Sequence, residues 1–267
     1  MPVISVIMGV YNQTKEEQLL QAVDSVLTQS FQDLEFLIFD DGSKEAGRKL
    51  LEQVAGRDSR IRLLGESRNH GLAYALNQCI KEASGKYLAR MDADDICLPE
   101  RLTRQYAYLE NHPETAFVGS GAKLIDDAGI WGERRMKEEP QAEDYIRYSP
   151  FIHPTVMFRT DVLRREGGYL VSEETRRCED YELFLRLYLK GCRGYNLPEE
   201  LLCYREDRAA YRRRTFRDRI CEMKLRRRYF PRLPVSGPRR IAGMLRPVFA
   251  GLVPGSVIRA VRRLSEG

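Results

Sequence analysis

KYLARMDADDICLPER, residues 86–101, decides how the rest of the chain is read. Tyr87, Leu88 and Ala89 form a short apolar run. Three carboxylates, Asp92, Asp94 and Asp95, follow within four residues, and Pro99 ends the stretch. Like charges this close repel, so a cation, either a basic side chain or a metal ion, should stand opposite them. Asp92 and Asp94 alternate, so on an extended chain both point the same way. Hard divalent cations take oxygen ligands, and Mg²⁺ typically uses one or two carboxylates together with substrate phosphates. D-x-D alone is a weak signal; its place at the end of a buried strand strengthens it.

Working outward, the same strand-end pattern recurs. VISVIMGV (3–10) is continuous, apolar and β-branched, as in a strand buried on both faces, and it delivers Tyr11 and Asn12. DLEFLIFDDGS (33–43) delivers Asp40, Asp41 and Gly42, and IRLLGE (61–66) reads as a third strand. Helical spacing separates them at 19–29, around 48–57 and at 71–85, where Gly85 stands at a helix-stop position. This alternation predicts an α/β fold with a mostly parallel sheet and helices on both faces. In such sheets ligands bind beyond the carboxyl ends of the strands, where Tyr11–Asn12, Asp40–Asp41 and Asp92–Asp94 all fall. After Pro99 the spacing predicts a helix over 100–111, a strand near 115–125, a hairpin around Asp127–Gly129, an extended 153–159 and a helix from about 181 to 190.

Composition excludes other classes. The chain has 267 residues, 43% of them apolar, enough to bury a sizeable core. It contains no 18-residue apolar run, and its start reads as a strand rather than a signal peptide. The six cysteines include no C-x-x-C pair, which suits a reducing compartment. MGVYNQT offers one glycine, too few for a dinucleotide fingerprint or a phosphate-cradling loop. Charge is uneven: from Arg205 onward there are 18 Lys/Arg against 5 Asp/Glu, leaving 26 against 34 before it. The expected division is therefore 1–205 (halves 1–98 and 99–205) and a basic segment 206–267.

Within that segment, YRRRTFRDRICEMKLRRRYF (211–230) is a dense arginine helix with interleaved aromatics. IAGMLRPVFAGLVPGSVIRAVRRL (241–264) mixes apolar residues with arginines, and its longest charge-free stretch, 247–258, is too short to span a bilayer. Such a segment either lies on an anionic membrane or packs its apolar side on the main domain; the sequence favours the first. It matches no nucleic-acid recognition module.

VISVIMGVYN, DLEFLIFDDGS, RNHGLAYALNQCIKEASGKYLARMDADD, HPTVMFR, EDYELFLRL and CYRED, in this order, resemble the family 2 glycosyltransferases of the GT-A fold over about residues 3–208. The bacterial branch that builds capsular and exopolysaccharide repeat units is especially similar. The resemblance implies a nucleotide pocket at Val10, Tyr11, Asn12, Asp40 and Asp41, with Asp40 reaching uracil or thymine. Arg68, Gly71 and Asn77 fall beneath base and ribose, and Arg90 and Asp92 near the sugar. Asp94, with Asp92, would hold Mn²⁺ or Mg²⁺ on the diphosphate, and Arg205 would meet the leaving group. Where many relatives carry histidine this chain has Asp207, a candidate metal ligand. Asp180 resembles the catalytic base, with Glu179 beside it, although by spacing alone Asp180 reads equally as a helix N-cap. His153 becomes an acceptor or diphosphate contact by the same resemblance, though in isolation it reads as structural. Trp131 offers a sugar-stacking ring or plain packing.

The implied reaction is inverting transfer from a nucleotide-diphospho-sugar, UDP being the favoured nucleotide. Its acceptor would be a saccharide hydroxyl, polyprenyl-diphosphate-linked, at the cytoplasmic face of the bacterial inner membrane or in the cytoplasm. A homodimer is compatible with the chain. Two alternatives stand beside this: a sugar-1-phosphate nucleotidyltransferase, which wants a glycine-rich basic loop that MGVYNQT lacks, and a non-catalytic membrane-associated scaffold.

Overall fold

The computed structural model describes residues 1–13, 15–206 and 215–253. Its first half is the expected alternation: β1 (Ile4–Val10), α1 (Glu16–Leu27), β2 (Leu34–Asp41), α2 (Glu45–Ala55), β3 (Ile61–Glu66), α3 (Leu72–Glu82) and β4 (Tyr87–Arg90). The second half adds β5 (Ile96–Cys97), α4 (Arg101–Asn111), β6 (Thr115–Asp126), β7 (Gly129–Arg134), α5 (Ala142–Arg147), β8 (Met157–Arg159), α6 (Thr160–Arg165), α7 (Glu179–Leu189) and β9 (Arg193–Arg205). Two C-terminal helices follow, α8 (Phe216–Tyr229) and α9 (Gly237–Leu252).

The strands form one sheet in the order β3-β2-β1-β4-β8-β6-β9-β5, with β7 paired to β6. β3, β2, β1 and β4 run parallel, β8 runs against β4 and β6, and β9 is parallel to β6. Period-two alternation explains why β1 and β2 read as unbroken apolar runs. Ile4, Val6, Met8, Phe36 and Ile38 enter a core shared with α1, α2 and α4. Ile7, Leu37 and Phe39 enter a second core shared with α3, α7 and α8. Each such side chain withdrawn from water contributes about 1.5–3 kcal/mol, so the sheet is stabilised from both faces at once.

Glu35, the second residue of β2, is a buried exception to that apolar rule. Burial alone pushes its carboxyl up, but hydrogen bonds from Ser5, Ser84 and Arg62 outweigh this and hold it low.

The hairpin, the 101–111 helix and the 179–189 helix lie where the sequence put them. The extended 153–159 divides into a 3₁₀ turn (His153–Thr155) and β8. β9, thirteen residues long, was not read from the sequence. Pro198 and Gly194 interrupt its strand pattern, and its pairing with β6 shifts register between Ser120 and Gly121. Leu225, Tyr229, Phe230 and Leu233 of the basic segment join the same core as α7, so α8 and the turn after it pack on the main body.

Candidate active site

Strand order reverses at β1: β2 lies on one side and β4 on the other. A crevice opens at such a switch point, outside the carboxyl ends of the strands. Here it is a cleft of about 520 Å³, lined on one side by residues 9–13, at the end of β1 and just beyond it, and on the other by Asp92–Asp94 after β4. Arg177, Arg205 and Lys15 bring positive charge to the same cleft.

The acidic turn is fixed from several directions. Met91 N–H donates to Ile7 O at 3.0 Å, continuing the β4–β1 ladder one residue past β4, so Asp92 emerges at the sheet edge. Behind it the fully buried Arg101 guanidinium donates to Arg90 O at 2.7 Å and to Cys97 Sγ at 3.1 Å. Arg90, also buried, forms an ion pair with Asp92. Burial opposes the Arg90 charge, and the Asp92 pair outweighs it and raises the guanidinium's pKa.

Asp92, Asp94 and Asp95 each place a carboxylate oxygen within 4.8 Å of the others. Asp95 is buried; its Oδ1 accepts from Arg205 N–H at 2.8 Å, and its Oδ2 has no hydrogen-bond partner. Burial first, then the charges of Asp92 and Asp94, push the Asp95 carboxyl well up, against the pull of the Arg205 N–H and Arg90. An all-oxygen donor set with an unsatisfied buried carboxylate oxygen suits a hard divalent cation. Asp207 lies outside the described residues.

The loops after β1 and β2 are stitched together. Asn12 sits in the left-handed region at φ 50°, which asparagine tolerates, accepts from Lys44 N–H at 2.8 Å, and donates its own N–H to Ser43 Oγ at 2.9 Å. Asp40 accepts from Ser43 N–H at 2.8 Å and faces Arg48 Nε at 3.6 Å. Asp41 turns the other way and takes Asn69 Nδ2 and the N–H groups of His70 and Gly71, at 2.7–2.8 Å. Its carboxyl is still pushed up by burial, which those backbone bonds only partly offset. Gly42, at φ 75°, allows the loops after β2 and β3 to meet: a Cβ there would stand 2.5 Å from Arg68 C.

Of the residues singled out in the sequence, Val10, Tyr11, Asn12, Asp92, Asp94 and Arg205 line the cleft. Asp40, Asp41, Arg68 and Gly71 stand beside it on the β2 and β3 ends, where the Arg68 side chain is exposed. Asn77 does different work: both ends of its amide pair with the Tyr169 backbone at 2.8 Å. His153 is buried with Nε2 2.7 Å from Tyr169 Oη, and burial together with Arg90 pushes its pKa well down. Glu179 and Asp180 open α7, whose N-cap position is held by Cys178 without a side-chain capping hydrogen bond. Burial, and then Asp180, raise the Glu179 carboxyl. Trp131 lies on β7, outside the cleft lining.

Sequence reasoning missed Lys15, Gln18 and Arg177. The first two stand at the start of α1, the helix that follows β1, and were within reach of the strand-end argument. Arg177 sits in SEETRRC, which carries no pattern, yet it lines the cleft with a left-handed backbone at φ 65°.

Residues 5–167 match the family described as Glycosyl transferase family 2. The chain belongs to that family. It is 40% identical over 216 residues to a putative glycosyltransferase, EpsE of Bacillus subtilis, covering 80% of this chain and 77% of the relative. Identity is 34% to the O-antigen biosynthesis glycosyltransferase WbnJ of Escherichia coli (76% and 79% covered). It is 32% to the amylovoran biosynthesis glycosyltransferase AmsE of Erwinia amylovora (74% of each chain).

Two solved structures share the fold of this family 2 glycosyltransferase at 17% identity each. S. aureus TarS 1–349 with UDP-GlcNAc superposes at TM-score 0.70 over 93% of this chain and 72% of its own. Mannosyltransferase PcManGT of Pyrobaculum calidifontis, with GDP-Man and Mn²⁺, gives 0.68 over 97% and 79%. The chain spans 43% of the longer TarS chain. The GT-A fold and a glycosyltransferase activity follow, and the nucleotidyltransferase and scaffold readings fall away.

Proposed function

We propose that the enzyme is an inverting, metal-dependent transferase that moves a sugar from a UDP-sugar to a hydroxyl of a polyprenyl-diphosphate-linked saccharide in cell-surface polysaccharide assembly. The observation that carries this reading is the switch-point cleft, which gathers Tyr11 and Asn12, the Asp92–Asp94 turn and Arg205 in one place. The names of AmsE and WbnJ, both in polysaccharide biosynthesis, support the pathway class. The ligands of TarS and PcManGT support a nucleotide-sugar donor.

In this reading Tyr11 and Asn12 flank the nucleotide, with Asp40 at the end of β2 accepting from the base. Asp92 and Asp94 hold a divalent cation, with Asp95 behind them. That cation, when bound, supplies positive charge against the diphosphate. Arg205, Arg177 and Lys15 surround the same position and stabilise charge developing on the departing nucleoside diphosphate. Asp180 takes the proton from the acceptor hydroxyl, and Glu179, its carboxyl raised, shares the acceptor side. Arg90 orients Asp92, and the neutral His153 holds Tyr169 between Arg90 and the start of α7. The acceptor's lipid places the reaction at the inner face of the membrane, which the basic C-terminal segment approaches.

The test is transfer from a panel of UDP-, dTDP- and GDP-sugars to a synthetic polyprenyl-diphosphate monosaccharide, with Mn²⁺ or with chelator. Metal-dependent product from a UDP-sugar, with inverted anomeric configuration by NMR, is expected. Transfer that survives chelation, or retains configuration, refutes the mechanism.

A further inference from the structure

α9 has two unlike faces. Its buried face holds Gly243 against α5: a Cβ at Gly243 would stand 2.2 Å from Ile146 Cγ2, so nothing larger allows this approach. The buried Arg226 guanidinium pins both elements by donating to Ile146 O at 2.8 Å and Gly243 O at 2.9 Å. The opposite face carries Ile241, Leu245 and Phe249, one helical turn apart and 57, 42 and 63% exposed, and Val253, 42% exposed, follows at the helix end. Isolated exposed apolar residues are ordinary, but three in one stripe with a fourth just past it mark an interaction surface.

Three further observations say what covers it. α9 contains no Asp or Glu, while Arg239, Arg240 and Arg246 stand among the apolar residues. Beside the stripe lies a groove of about 730 Å³ with Tyr148, Leu245 and Phe249 in its lining, and Arg147, Arg239 and Arg246 outnumber its one carboxylate, Glu143. An apolar floor with a cationic rim complements an amphiphile carrying a phosphate. The helix, sixteen residues and roughly 24 Å long, is too short to cross a bilayer, but it suits the interfacial plane.

The C-terminal end of α9 meets the start of α8: Phe216, 51% exposed, lies 3.2 Å from a Cβ position on Gly251. There burial pushes the Asp218 carboxyl up, while its Thr215 capping-box hydrogen bonds and then Arg176 and Arg177 outweigh this and hold it low, and Arg177 lines the cleft.

We infer that the outer face of α9 docks on an anionic phospholipid surface, with one lipid chain entering the adjoining groove. This deepens the lipid-linked acceptor reading: docking there presents the bilayer beside the loop that carries Arg177. Arginines bind the headgroups while Ile241, Leu245 and Phe249 enter the acyl boundary.

The experiment is vesicle flotation of the full chain, using phosphatidylcholine vesicles with and without phosphatidylglycerol. Wild type should float only with phosphatidylglycerol, and salt should weaken the binding. The double variant R239Q/R246Q should bind roughly tenfold or more weakly, and L245S/F249S should lose binding. These residues are exposed, so the variants should keep wild-type circular dichroism and nucleotide binding. Equal binding to neutral vesicles, no binding by wild type, or variants that float normally would overturn the inference. So would a dimer in light scattering that L245S/F249S abolishes, since a second copy would then cover the stripe. Nucleotide binding is read separately, so failure to float leaves the catalytic proposal standing, and failure to bind nucleotide leaves docking standing.

Discussion

Arg205 and Asp95 bind each other across the cleft floor: the Arg205 N–H donates to Asp95 Oδ1 at 2.8 Å. The Arg205 Nε donates to the Asp94 carbonyl at 2.9 Å. The last residue of β9 and the acidic turn after β4 are therefore one unit, although 110 residues separate Asp95 from Arg205 in sequence. Removing the Asp95 side chain leaves a buried N–H unsatisfied, at a cost of about 1–3 kcal/mol. D95A should lower Tm and weaken metal-dependent nucleotide binding together. D95N keeps an acceptor for Arg205 and should recover most of the stability. Equal Tm values for the two variants would show that the bond does not matter.

Arg177 makes a second prediction because its backbone and its side chain pull in opposite directions. The left-handed conformation costs a non-glycine residue roughly 1–2 kcal/mol, whereas its guanidinium borders the cleft. R177G should relieve that backbone strain while weakening UDP binding roughly tenfold or more, the scale of a lost charge-assisted hydrogen bond. R177K should restore part of the affinity. Unchanged affinity in R177G would remove Arg177 from the diphosphate site.

His153 predicts a pH effect on stability. Its folded pKa lies well below 6.5, through burial and Arg90. As pH falls through the unfolded value near 6.5, the unfolded chain takes up a proton that the folded chain refuses, so stability is lost on the acid side. Tm should therefore decline between about pH 7.5 and 5.5. H153Q, which cannot charge, should show a shallower decline over that window. Parallel profiles would place the titration elsewhere.

The fold was legible where burial on both faces leaves an unambiguous mark, as in VISVIMGV and LEFLIF. It was not legible in RGYNLPEELLCYR, where bulged pairing breaks the alternation that identifies a strand. The cleft was legible for the same reason as the sheet: strand ends define it, so Tyr11, Asn12, Asp92 and Asp94 could be named from the sequence. Partners set by tertiary contact could not. Nothing local says that Asn77 spends both ends of its amide on Tyr169, 92 residues away, or that Asp41 closes the 69–71 turn. The mixed character of the tail was hidden too, because α8 contributes Leu225 and Tyr229 to the core while α9 turns Leu245 and Phe249 outward.

Asp180 stands in the first turn of α7, past the Cys178 N-cap position. D180N should leave donor binding near wild type while lowering turnover by roughly 10² or more. Full turnover in D180N would reassign the base, with Glu179 the next residue to vary.

The central claim is that the Asp92–Asp94 turn holds a cation that holds the donor. Its most direct test is calorimetric titration with UDP, dTDP and GDP, with and without Mn²⁺, on wild type and D94A. The account predicts binding of UDP by wild type only with Mn²⁺, and none by D94A. UDP binding of equal strength without metal, or undiminished in D94A, would contradict it.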